Sequence, residues 1–217
     1  MVNKDYLHKK FQEWRKEVKE NIILIVISLI IVAISIIIGY FSGFYVSYEA
    51  KVIEVSDLIL KYFGPYNFRF IFVYGYLLYF VLLFIYPLFF NVKKLHSVIF
   101  QFSVLNLCRS FFIIFTHLKT PSDAISGAFP GALNLFKFSN DSFFSGHVAI
   151  PFLGFLLFRE SKIRYFFLFM SIIMGIIVLG MHQHYSIDVF AAFFITYGCY
   201  KIGSYIIVKL EKLFKKI

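Results

Sequence analysis

Two histidines and an aspartate, His182, His184 and Asp188, stand just before an apolar run in 181–194, MHQHYSIDVFAAFF. A third histidine, His147, follows Ser145 and Gly146 in 140–150, NDSFFSGHVAI. Arg109 lies within the otherwise apolar stretch 105–118. These residue types suit phosphoryl transfer. If a helix already holds at His184, Asp188 is one turn on and shares its face; if Ser186 caps the helix, local folding must bring the two together. Either way a carboxylate can take the imidazole Nδ1–H, fix the tautomer and leave Nε2 free as nucleophile or base. Asn140, Asp141 and Ser142 are helix-start residues, and Ser145 and Gly146 put little bulk into a first turn whose amides could hold an anion. A guanidinium at Arg109 is shaped for phosphate or carboxylate. His182 and Tyr185 are candidates for supporting positions beside His184.

Each of these residues has a plainer reading. Asp188 and Asp141 could be helix caps, Gly146 a packing residue, and Arg109 half of a structural ion pair. The elements that must position them decide the matter. The chain has 217 residues, is 60% hydrophobic and 22% aromatic, and carries only 16% charged residues. That composition points to a membrane protein, because a soluble domain of this size could not hide so much apolar surface. Six apolar segments approach the length needed to cross a hydrocarbon core. They are 21–46, 70–90, 95–118, 143–158, 165–181 and 189–208, the fourth being the shortest. The expected fold is an all-α bundle of six transmembrane helices.

The net charge of +10 does not indicate nucleic acid, because its distribution follows the membrane. Lys4, Lys9, Lys10, Arg15, Lys16 and Lys19 precede the first segment, and Lys93 and Lys94 lie between the second and third. Arg159, Lys162 and Arg164 separate the fourth and fifth, and Lys209, Lys212, Lys215 and Lys216 follow the sixth. These are alternate loops, and they hold 15 of the 22 basic residues; Lys51, Lys61, Arg69, Lys119 and Lys137 fall on the other side. The positive-inside rule then places both termini in the cytoplasm and loops 47–69, 119–142 and 182–188 outside. Residues 1–20 are expected to remain uncleaved, since the basic stretch and the apolar run are both too long for a signal peptide. Leu7, Phe11, Trp14 and Val18 recur at helical spacing among lysines, which predicts an amphipathic interfacial helix over 1–20. Residues 21–208 form the membrane catalytic domain in this reading, and 209–217 a basic cytoplasmic tail. Cys108 and Cys199 lie inside spans and indicate no disulfide framework.

This topology puts His147, His182, His184 and Asp188 at one face, with Arg109 nine residues, or roughly 13 Å at helical rise, below it. An ionisable group in the membrane is costly and faces a bundle interior or aqueous cavity. Two imidazoles, a carboxylate and a buried cation on one side suit attack on phosphorus by one ring and proton donation by the other. A zinc site made by His147, His182, His184 and Asp188 is a rival from another class, but it leaves Arg109 without a role. An ion-coupled transporter is a second rival, although the spans lack paired interruptions.

At these residues the chain resembles the type 2 phosphatidic acid phosphatase superfamily, in particular its sphingomyelin-synthase-like branch. HQHYSIDV (182–189) resembles that branch's H-x-H-Y-T-x-D-V, with Ser186 for threonine. DSFFSGHV (141–148) resembles D-x-x-x-S-G-H-T, with Val148 for threonine. Arg109, Thr116, Leu118 and Pro121 match R-x6-T-x-L-x-x-P, and Asp57 is what remains of an L-P-D segment. The K-x6-R-P and S-R-x5-H motifs of the broader phosphatases are missing. The resemblance implies a six-helix enzyme without metal or other cofactor, acting on a membrane phospholipid and a lipid alcohol such as ceramide or diacylglycerol, or on water. It implies that His184 is the nucleophile, Asp188 its orienting partner and His147 the general acid. Arg109, Ser145, Gly146 and Asp141 would surround the phosphate. Loop 119–142, with Phe129, Leu133, Leu135, Phe136 and Phe138, could shape an acceptor entrance.

The topology is checked by labelling single cysteines in a background lacking Cys108 and Cys199. A membrane-impermeant maleimide should modify Lys61→Cys in intact cells and Lys162→Cys only after permeabilisation. The reverse pattern would invert the orientation.

Overall fold

The computed structural model describes residues 4–131, 138–141 and 143–214. Leu133, Leu135, Phe136, Lys137 and Ser142 of the expected outer loop lie outside the described residues, as do Lys215 and Lys216 and the side chain of Leu7. The described chain is helical, with no strand. Helix α1 spans Lys4–Glu20 and α2 Ile22–Tyr48. A π-helical turn, Ile71–Gly75, leads into α3, Tyr76–Phe90, and a 3-10 turn, Val92–Lys94, into α4, Leu95–Phe115. Then follow α5, Gly146–Leu157, α6, Ile163–Gly180, and α7, Ser186–Phe214.

Five apolar helical stretches are long enough to cross a membrane: Ile22–Tyr48, Ile71–Phe90, Val92–Phe115, Ile163–Gly180 and Ser186–Phe214. The protein is an integral membrane protein. The fourth expected span differs. Where 143–158 was expected, α5 has 12 residues, a length of about 18 Å against the roughly 30 Å of a hydrocarbon core. It starts late because residues 143–145 are not helical, and it stops at Phe158, where the backbone leaves helical angles. The last helix also differs, running past the expected boundary at Val208 to Phe214.

The helices pack through small and polar side chains, as expected where lipid removes the hydrophobic drive for helix association. On α2 the buried set is Leu24, Ile25, Ser28, Ser35, Ser42, Gly43 and Val46, while Ile30, Ile37, Phe41 and other large side chains are exposed. Ser28, Ser35 and Ser42 recur every seven residues and satisfy their hydroxyls on the carbonyls of Leu24, Val32 and Ile38. This stripe faces α4, whose Asn106 Nδ2 donates to Ser35 O at 2.7 Å. On the opposite side of α4, Gln101 Nε2 donates to Tyr200 O and Ser204 Oγ of α7. Helices α5 and α6 meet where Gly154 makes room for the buried ring of Phe167.

The two ends of the bundle have different chemistry. At one end Lys93 pairs with Glu17, Lys94 with Glu160 and His96 with Glu211, and Trp14 Nε1 of α1 donates to Leu88 O. At the other end the loops after α2, α4 and α6 are knitted together. Ile53 N and O bond His117 O and Lys119 N, and Glu54 accepts from Ser122 N and Oγ. All the candidate site residues sit at this second end.

The α5–α6 contact generates a stability test. A Cβ at Gly154 would lie 2.5 Å from the Phe167 ring, which is fully buried. Gly154→Val should therefore cost about 1–3 kcal/mol by overpacking, read as a lower thermal midpoint in detergent. Gly198→Ala, where nothing lies within 4 Å of an added Cβ, should not lower it.

Candidate active site

Helix α7 begins at Ser186, so His184 stands just outside it and meets Asp188 by local folding. Asp188 is the third residue of the helix. Its Oδ2 accepts the Tyr185 N–H at 2.9 Å, the reciprocal half of a capping box, and lies 3.4 Å from His184 Nδ1. The carboxylate is completely buried. With Nδ1 held there, His184 Nε2 is left without a hydrogen-bond partner among the described residues, and the ring borders a partly open cavity of about 480 Å3.

His147 borders the same cavity, on the first turn of α5. Its ring centroid is 6.5 Å from that of His184, and neither ring nitrogen has a hydrogen-bond partner among the described residues. The ring is placed by apolar contacts instead: it stacks on Phe72 at 4.1 Å and lies 4.8 Å from Tyr76. The backbone at this turn is also fixed. Pro151 has no N–H to give the His147 carbonyl, which would be orphaned inside a helix. Tyr79 Oη donates to that carbonyl at 3.1 Å, and Ser171 Oγ donates to the next one, Val148 O, at 2.9 Å.

Arg109 enters from α4. Its Nε donates to Phe144 O, Nη2 to Asp141 O, and the guanidinium grips the Asp141 carboxylate with contacts of 2.7 and 3.1 Å. The segment before α5 is thus clamped to α4. Asp141 accordingly does not cap α5; Ser145 occupies that position, with no side-chain bond to the helix. The Ser145 hydroxyl is buried and has no partner among the described residues. A Cβ at Gly146 would stand 3.4 Å from Arg109 Nε, in ordinary contact, so the guanidinium lies directly against the helix start. Arg109, Asp141, Gly146, His147 and His184 all line the cavity.

His182 is turned elsewhere. It is 3% exposed, sits at φ 54°, and its two ring nitrogens contact Asp123 Oδ2 and Phe63 O, both at 2.8 Å. Left-handed backbone is uncommon for histidine and needs such over-determination. Gly64, itself at φ 106°, makes room: a Cβ there would be 2.7 Å from His182 Nε2. Tyr185 is likewise spent on the loops, donating to Lys119 O at 2.8 Å. Among the described residues no group of three or more His, Cys, Asp or Glu is arranged to hold a metal ion.

Three contributors carry weak or indirect sequence signals. Asp57 Oδ2 accepts both the N–H and the hydroxyl of Ser186, capping α7 from the loop after α2. Gln183 Nε2 donates to Ile125 O, and its side chain borders the cavity. The third is Tyr79, for which Pro151 is the clue: a proline within an apolar helix demands an external donor.

Residues 139–205 match the family model described as PAP2 superfamily C-terminal. The match covers His147, His182, His184, Asp141 and Asp188, and supports the PAP2 superfamily. No curated protein and no solved structure matches the chain significantly.

Asp57 yields a pH prediction. Burial pushes its carboxyl pKa up, but the two bonds from Ser186 and the backbone N–H groups of Leu60 and Ile59 outweigh this and leave it below the usual carboxylate value. The stabilisation is therefore complete above the ordinary carboxylate range and is lost as pH falls through the lowered value. Asp57→Ala should cost about 1–2 kcal/mol near neutrality, as for a lost helix cap. Thermal midpoints measured from pH 7 down to pH 3 should show wild type and variant converging at the acid end.

Proposed function

We propose that this chain is a membrane lipid phosphotransferase or phosphatase, working through a phosphohistidine, in the sphingomyelin-synthase-like branch of the superfamily its C-terminal part matches. The observation that carries this reading is the His184–Asp188 pair beside His147. Among the described residues one imidazole has Nδ1 fixed and Nε2 unpartnered, and a second unpartnered imidazole lines the same cavity with its ring centroid 6.5 Å away.

His184 Nε2 attacks phosphorus of a lipid phosphoester, and the bond from phosphorus to the lipid oxygen breaks. His147 donates a proton to that departing oxygen. Asp188 holds the Nδ1–H as the ring gains positive charge. In the second half His147 takes the proton of the incoming hydroxyl, which attacks phosphorus and releases His184. The acceptor is a lipid alcohol such as ceramide or diacylglycerol, or water. Arg109, with the amide of Gly146 and the hydroxyl of Ser145, surrounds the phosphoryl oxygens, and Asp141 sets the guanidinium plane. The Arg109–Asp141 ion pair must then share its donors with the substrate. Six crossings of the membrane, the fourth made by α5 together with the non-helical residues before it, with both termini cytoplasmic and the site at the extracytoplasmic face, follow from the basic loops. The α1 helix lies on the inner surface in this reading.

The test is incubation of purified protein with fluorescent phospholipids, with and without ceramide or diacylglycerol. Wild type should form new phospholipid or release phosphate, and His184→Ala should form neither. Asp188→Asn should retain binding and lose about 10³–10⁴-fold in kcat, the scale seen when a carboxylate no longer fixes a catalytic imidazole's tautomer. Equal product from wild type and His184→Ala would reject the mechanism.

A further inference from the structure

Tyr76 borders the cavity from the first turn of α3 and has no part in the chemistry above. Its ring is held on four sides: 4.8 Å from His147, 5.3 Å from Phe129, 5.4 Å from Tyr79, and stacked on Phe80 at 5.6 Å. A tyrosine hydroxyl taken out of water normally finds a partner. Tyr79 gives its own to His147 O, Tyr185 to Lys119 O, and Tyr86 shares its own with Ser161. Tyr76 Oη has no hydrogen-bond partner among the described residues, yet it lies close enough to Arg109 and Asp141 to feel both charges. Elsewhere on the cavity wall the hydroxyl of Ser110 donates to Asn106 O, and that of Thr120 accepts the Asn140 N–H.

Arg109 has few donors left for a substrate. Three of its five N–H groups donate to Phe144 O, Asp141 O and Asp141 Oδ2, and Asp141 Oδ1 stands 2.7 Å from Nη2. The carboxylate also offsets the charge of the guanidinium. A phosphoryl group brings several acceptor lone pairs, and each is costly to leave unmet away from water. Tyr76 stands on the wall that Arg109 and His147 share, with a donor that nothing uses. We infer that Tyr76 is a further ligand of the transferring phosphoryl group, its Oη–H donating to a terminal oxygen of the group that Arg109 holds. This rests on the phosphoester reading above. The neutral phenol adds a donor without adding charge. Asp141 can therefore stay on the guanidinium when the phosphoryl group arrives, and the segment before α5 stays clamped to α4.

The test is Tyr76→Phe, which keeps the ring and removes the hydroxyl. Two ligands are read on the purified protein: inorganic phosphate by calorimetry, and a fluorescent phospholipid by turnover. Phosphate should bind the variant about tenfold more weakly or worse, the scale of one hydrogen bond to a charged acceptor. The value of kcat/KM for the lipid should fall by a similar factor. The thermal midpoint without phosphate should hold or rise, since the hydroxyl has no partner to lose among the described residues. A ring that serves packing alone predicts no change with either ligand, and that result overturns the inference. A lowered midpoint without phosphate overturns it as well, because the hydroxyl would then be spent on the fold. Wild-type turnover separates this inference from the reading it rests on. Weaker phosphate binding by the variant, with no lipid turnover by wild type, sinks the lipid phosphotransfer reading alone and leaves Tyr76 as an anion donor. Lipid turnover that the variant matches sinks the Tyr76 assignment alone. Wild type that neither binds phosphate nor turns over lipid overturns both.

Discussion

Asp188 joins the two halves of the site. Its carboxylate holds the Tyr185 amide and faces His184 Nδ1, while its backbone carbonyl accepts the N–H of Ser145 at 3.2 Å. Ser145 precedes the helix that carries His147. One residue at the first turn of α7 therefore sets the orientation of one histidine and the height of the other. A carboxylate suits this place on general grounds, because a helix N-terminus offers unpaired amides and a favourable dipole. Asp57 reinforces the arrangement from outside by taking the Ser186 amide and hydroxyl. The first turn of α7 is thus held by two acids, one within the helix and one from a loop 129 positions earlier.

Part of the candidate site's geometry was legible in the sequence because its constraints are local. The interval from His184 to Asp188 allows only two geometries, and Ser186 at the helix start selects the one outside the helix. The partner of Arg109 could be anticipated as an anion, yet not as Asp141, because their separation of 32 residues leaves the pairing to tertiary structure. Helix-start residues at 140–142 suggested a cap there; the guanidinium captured Asp141 first, and the helix began at Gly146. His182 departs most from what its spacing suggests. Its motif position beside His184 suggests a catalytic supporting part, but the chain reverses at φ 54° and sends its ring to Asp123 and Phe63. Backbone handedness at a single residue does not show in side-chain spacing.

The long apolar helices were readable from composition alone, and the short one was not. Hydrophobicity marks what lipid or core will accept, and α5 is apolar for the second reason as well as the first. Val148, Ala149, Leu153 and Leu156 are buried by α4, α6 and α7, not turned to lipid. On α2 the pattern is inverted: serines and a glycine face the partner helix, and isoleucines face out. A moment-based reading that sends the greasiest face inward would orient α2 backwards.

The brevity of α5 also sets a depth gauge. A helix that crossed the whole core would carry its first turn to the surface, and His147 with it. With 12 residues, anchored at its far end by Tyr86 and Ser161 meeting at 2.7 Å, it keeps its first turn recessed among the other helices. A phosphoester tethered to a bilayer presents its phosphorus at a narrow range of heights, whereas a freely diffusing phosphate has no such constraint. On the proposed function, recession of the histidines serves as a vertical filter, favouring ligands whose own hydrocarbon holds them at the right level.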